Sequence, residues 1–80
     1  MMKQKIQDAF NAQITAEAFS AHLYMSMSAY LETINLKGMA AWMRLQADEE
    51  TTHEMKFFDY ILARGGKVLL DEIGAPPHEW

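Results

Sequence analysis

Cysteine is missing from this chain of 80 residues, which removes two ways of holding a small fold together. No disulfide can staple it, and no thiolate can bind a structural metal. Basic residues are in the minority, with seven Lys and Arg against eleven Asp and Glu and a net charge of −4. A nucleic-acid binder would carry a basic face, so that class is excluded. Long apolar runs are lacking too. No stretch approaches the roughly 18 apolar residues of a membrane span, and the opening "MMKQKIQDAF" has lysines but no apolar run of signal-peptide length. These absences lead us to expect a cytoplasmic protein whose partners include neither membrane nor nucleic acid. Helix breakers are scarce: the chain has four Gly and two Pro, and none of them falls between Lys3 and Ile34.

Half of the residues are hydrophobic and 22% are charged, the composition of an ordered globular chain. The length permits one domain, spanning 1–80, whose stability alone is marginal. Small folds without disulfides usually lean on a metal or on self-association. There is no internal repeat and no low-complexity stretch.

Apolar periodicity predicts two helices. In the first, about 3–34, Ile6, Phe10, Ile14, Ala21, Tyr24, Met27 and Leu31 recur at spacings of three, four or seven. "TINLKG" interrupts it, with Asn35 as a candidate N-cap for the next helix. The second helix, about 37–64, carries Met39, Met43, Gln46, Glu50, His53, Phe57, Tyr60 and Ile61. It should stop at "RGG", with Arg64 complementing the dipole in the last turn and Gly65 in the left-handed position after it. The tail 65–80 reads as an extended connection. Two helices joined by a short loop run antiparallel. A pair cannot enclose a core, so the expected fold is all-α: an antiparallel hairpin forming half of a four-helix bundle, completed by dimerisation or by a missing second half.

Acids and a histidine interrupt the stripes. Glu50 and His53 are three apart on one helix face, and Glu17 breaks the first stripe between Phe10 and Tyr24. Folding the hairpin about Asn35 puts Glu17 eighteen residues before the turn, and Glu50 and His53 fifteen and eighteen after it. All three then arrive at similar height, roughly 25 Å from the turn. Buried carboxylates persist when they are paired or bind a metal. Two carboxylates and an imidazole without sulfur suit iron or manganese better than structural zinc. Bundles that hold two irons take a Glu from each of two helices and a Glu-x-x-His from each of the other two. This hairpin supplies one Glu and one Glu-x-x-His.

The segments "QITAEAFSAHLYMSMSAYLE", "NLKGMAAWMRLQADEETTHEMKFFDYILARGG" and "APPHEW" together resemble the N-terminal half of a prokaryotic non-haem ferritin, across nearly the whole chain. The resemblance implies a ferritin-like bundle with a carboxylate-bridged di-iron (ferroxidase) centre. Such a centre oxidises Fe(II) with O₂ or peroxide, for iron storage and detoxification inside a shell of subunits. It assigns Glu17 and His53 as terminal ligands of one iron and Glu50 as the bridge between two. Tyr24 would stand beside the site, hydrogen-bonding a ligand or giving an electron, and Glu49 would belong to a nearby third iron site. Thr51 stands where haem-binding relatives carry a ligand Met, so no haem is expected. The family's third and fourth helices, with the remaining acids of the second iron, are absent. His22, Thr51, Thr52 and Glu54 also depart from the pattern.

Each residue has a plainer reading: a solvated acid for Glu49, a satisfied core aromatic for Tyr24, polar surface for His22 and His78, and flexible packing for the seven methionines. Two other functions use the same residues. One is a truncated or split ferritin subunit acting only as an oligomerising hairpin without turnover. The other is a small di-iron protein that scavenges peroxide and stores nothing.

Overall fold

A computed structural model describes residues 2–80. Helix α1 (Gln4–Thr33, 30 residues) and helix α2 (Lys37–Ala63, 27 residues) pack antiparallel, and among the described residues there is no strand. The hairpin measures 50 × 19 × 12 Å with a radius of gyration of 15.0 Å. A compact domain of this length would have a radius near 12 Å, so this chain does not close around a core.

Both helices end in the same device. The Asn35 N–H bonds the Glu32 carbonyl and the Leu36 N–H reaches back to Leu31, at 3.1 and 2.9 Å. Asn35 has φ of 63°. That is a Schellman motif with Asn35 in the left-handed position. Asn35 therefore terminates α1. The expectation that it caps the start of α2 is corrected: the N-cap is Leu36, which offers no side-chain bond. At the other end Gly65 (φ 73°) and Gly66 bond Leu62 and Ile61 at 3.2 and 2.9 Å. Gly65 takes the left-handed position that the sequence suggests. Arg64 is the C-cap, just past the last turn in which it was expected, and its guanidinium lies 4.7 Å from the centre of the Tyr60 ring.

The residues buried between the helices fall on seven-residue lines that combine small, polar and two Ile side chains. On α2 these are Ala40, Ala47 and Ile61; on α1 they are Gln7, Ile14 and Ser28, with Asn11 and Ala18 beside them. Small residues let the backbones approach, and the Ser28 hydroxyl donates to the Ala40 carbonyl at 2.7 Å. The larger apolar stripe read from the sequence behaves differently. Phe10, Tyr24, Leu31, Met43 and Phe57 are only half-buried, while Ile6, Met39 and Tyr60 are exposed. That stripe borders an open face, as expected of two helices that cannot enclose a core by themselves.

The tail has no helix or strand, yet it is tied down as a strap along α1. The Lys67 N–H donates to Gln7 Oε1 at 2.9 Å. Asn11 bonds the strap twice, giving Nδ2–H to the Lys67 carbonyl at 2.9 Å and receiving the Leu69 N–H at 2.8 Å. Further on, Ser26 donates to the Pro77 carbonyl and Tyr30 to the Trp80 carbonyl, both at 2.6 Å. The Trp80 ring meets Tyr30 edge-on at 5.7 Å. The strap thus runs the length of the hairpin, from the end of α2 back to the turn. Among the described residues no helix is long and apolar enough to cross a membrane.

Candidate metal centre

Glu17 is the fourteenth residue of α1 and Glu50 the central residue of α2, so the antiparallel packing sets them opposite each other at mid-height. One helical turn on, His53 joins them. Its Nδ1 lies 3.7 Å from Glu17 Oε2 and 3.8 Å from Glu50 Oε2. One ligand atom from each of the three lies within 4.8 Å of the others, and this is the only such group of three among the described residues. The convergence read from the sequence holds. The cluster is not sealed from solvent: the His53 side chain is 48% exposed, against 14% for Glu17 and 20% for Glu50.

Two glutamates this close cannot both ionise freely. A hydrogen bond between them holds Glu17 below the ordinary carboxylate value, although burial works against that fall. The same bond raises Glu50, and burial and the Glu17 charge raise it further. Sequence reasoning missed one supporting residue. Gln13 Nε2 donates to Glu17 Oε1 at 2.9 Å and fixes the carboxylate's orientation. Its signal was the four-residue spacing between Gln13 and Glu17 on one helix face.

The donor set fits a hard or borderline divalent cation. It offers carboxylate oxygens and one imidazole. Three protein ligands on one side leave the other side open for more ligands.

The other candidates lie apart from this cluster. Tyr24 is half-buried on the Glu17 line, seven residues on, or about 10 Å along the axis. Glu49 is exposed and contributes no atom to the cluster. On the opposite side of the cluster, Phe10 packs against Phe57 and Tyr60 with ring centres 5.6 and 5.0 Å apart.

A helical half-bundle with a carboxylate–histidine cluster at its middle has the arrangement that a metal-holding bundle would use. Comparison with known proteins gives the family: the ferritin-like domain matches residues 7–80, and the chain belongs to it. It is 44% identical over its whole length to the bacterial non-heme ferritin of Bacteroides fragilis and 40% identical to that of Staphylococcus epidermidis. The chain covers 50% and 48% of these proteins, so it spans about half the length of the curated relatives it matches. The open pore ferritin of the hyperthermophilic archaeon Archaeoglobus fulgidus superposes on all of this chain with a TM-score of 0.97 and 48% identity. Chlorobium tepidum ferritin does so with 0.95 and 46%. This chain covers 49% of each of these two structures.

Proposed function

We propose that this chain supplies one half of an Fe(II)-oxidising centre, with Glu17, Glu50 and His53 as its iron ligands. The observation that carries the reading is the meeting of those three side chains, from two helices, within 4.8 Å. Fe(II) is the substrate; each ion gives one electron to O₂ or peroxide and leaves as Fe(III). The chain's own residues bind and orient it. Glu17, aligned by Gln13, and His53 serve as terminal ligands, and Glu50 as the bridge to a second ion. Tyr24 serves as the nearby hydrogen-bonding or electron-giving group, and Glu49 as part of an outer site reached by departing iron. Iron storage in the cytoplasm is the wider role that membership of the ferritin-like family supports. The other half of the bundle comes from a second copy or from a separate C-terminal half.

The test is oxidation of Fe(II) in air, followed by Fe(III) absorbance, with the chain present and with its Glu50→Ala variant. The expected result is oxidation above the protein-free rate for the native chain and none above it for Glu50→Ala. Equal rates for the two proteins, alone and with the C-terminal half of a ferritin-like subunit added, would sink the proposal. A second reading is favoured by the half-length match and the open apolar face: a split subunit that oligomerises without turnover. It would give the protein-free rate for both.

A further inference from the structure

The two glutamates of the cluster stand in the same local sequence. Each has a glutamine four residues before it: Gln13 before Glu17, and Gln46 before Glu50. Residues at that spacing share a helix face. Because α1 and α2 run antiparallel, the two glutamines bracket the cluster. Along its helix axis Gln13 lies about 6 Å from Glu17, away from the turn, and Gln46 about 6 Å from Glu50, toward the turn.

Only one of the two glutamines is in use. Gln13, itself exposed, donates to Glu17 Oε1 at 2.9 Å. The other oxygen of that carboxylate, Oε2, lies 3.7 Å from His53 Nδ1. Gln46 is half-buried beside Met43 on the α2 stripe. Among the described residues its amide makes no hydrogen bond. Apolar packing alone gives no reason for an amide at this position.

A carboxylate that holds a metal is itself held by hydrogen bonds from the groups around it. For Glu17 that donor is Gln13. For Glu50 the neighbours on its own helix face are Gln46 and Ala47 before it, and His53 and Glu54 after it. The Ala47 side chain has no donor, Glu54 is an acid, and His53 belongs to the cluster. Gln46 alone remains. In the metal-free protein Glu50 is bonded across the hairpin to Glu17 instead, which leaves Gln46 idle.

We infer that Gln46 is the positioning residue for Glu50: its amide donates to the Glu50 carboxylate once that carboxylate turns from Glu17 to a bound divalent cation, as Gln13 already donates to Glu17. Both donors are neutral. A Lys at either position would donate too, but its charge would offset part of the negative charge that attracts the cation. The inference rests on the proposed ligand role of Glu17, Glu50 and His53, and adds the group that aligns Glu50.

The test is NMR of the side-chain amides in the isotope-labelled chain, metal-free and with Zn(II) as a diamagnetic probe that accepts carboxylate and imidazole ligands. It is run on the chain alone and with the unlabelled C-terminal half of a ferritin-like subunit added. Without metal, the Gln13 amide protons should sit downfield and those of Gln46 should match free glutamine. With Zn(II), the Gln46 protons should move downfield and exchange more slowly, while those of Gln13 stay in place. Gln46→Met keeps the side-chain length and a near-equal helix propensity. Its helicity by circular dichroism should therefore hold, while its Zn(II) affinity falls about tenfold. Gln46 signals that stay unchanged while Zn(II) binds overturn the inference and leave the ligand assignment standing. Native Zn(II) affinity in Gln46→Met overturns it too. No bound Zn(II) in either setting overturns both the inference and the ligand assignment.

Discussion

Asn11→Ala should unfasten the strap. Asn11 is 8% exposed and bonds the strap twice, to the Lys67 carbonyl at 2.9 Å and from the Leu69 N–H at 2.8 Å. Each bond contributes about 1 kcal/mol net, so about 2 kcal/mol is at stake. Were the strap to stay in place, the two backbone groups would lack partners, at about 1–3 kcal/mol each. Moving out to water is less costly than that. The response should therefore be local opening rather than global unfolding. The Lys67 N–H keeps its separate bond to Gln7. Amide hydrogen exchange resolves the two positions. Leu69 should exchange about 30-fold faster in Asn11→Ala, as a 2 kcal/mol loss implies. Lys67 should change much less, and Gln7→Ala should invert that order. Unchanged protection at Leu69 would refute the claim that this amide side chain acts as the clamp.

Other substitutions test other links. Gly65→Ala forces a side chain into φ of 73° with open space around it, so only backbone strain counts; urea denaturation should show a loss of about 1 kcal/mol. Gly66→Ala is a steric test, because the new Cβ would lie 3.0 Å from both Gln7 Oε1 and Ile61 Cγ2, and Ile61 is fully buried; the loss should be about 1–3 kcal/mol. Glu50→Gln should alter the pH dependence of the metal-free protein. Glu50's folded-state value is raised, so its contribution is full below the ordinary glutamate range and is lost as pH rises through the raised value. Glu17 is lowered and works in the opposite sense. Urea midpoints of native and variant protein, compared across and above the ordinary glutamate range, should shift in favour of Glu50→Gln as pH rises. A difference that stays flat would contradict the raised value of Glu50.

Much of this was legible in the sequence, for reasons that differ by residue. A run without Gly or Pro and apolar spacing at helical period fix two helices, and the short turn fixes their antiparallel packing. Counting residues from the turn was enough to bring Glu17, Glu50 and His53 together, because helical rise is constant. Gly65 was readable as a cap because few residues tolerate its φ. Asn35 was assigned to the wrong helix, since Asn serves both as an N-cap and in the left-handed position after a C-terminus, and spacing alone does not separate the two. The buried line was legible in part. Ile14 and Ile61 lie on the periodic stripes and are the most buried side chains, whereas Ala40, Ala47 and Ser28 are too small or polar to stand out. The strap was invisible because its bonds join Gln7 and Asn11 to residues some sixty positions away. No local pattern encodes such a pairing.

The central claim is that Glu17, Glu50 and His53 bind iron. The direct measurement is native mass spectrometry of the metal-free chain titrated with Fe(II) under exclusion of oxygen, beside Glu17→Ala, Glu50→Ala and His53→Ala. The account predicts that iron saturates at one ion per hairpin in the native chain and that each substitution abolishes or sharply weakens this binding. Iron held equally well by all four proteins, or by none of them, would contradict it.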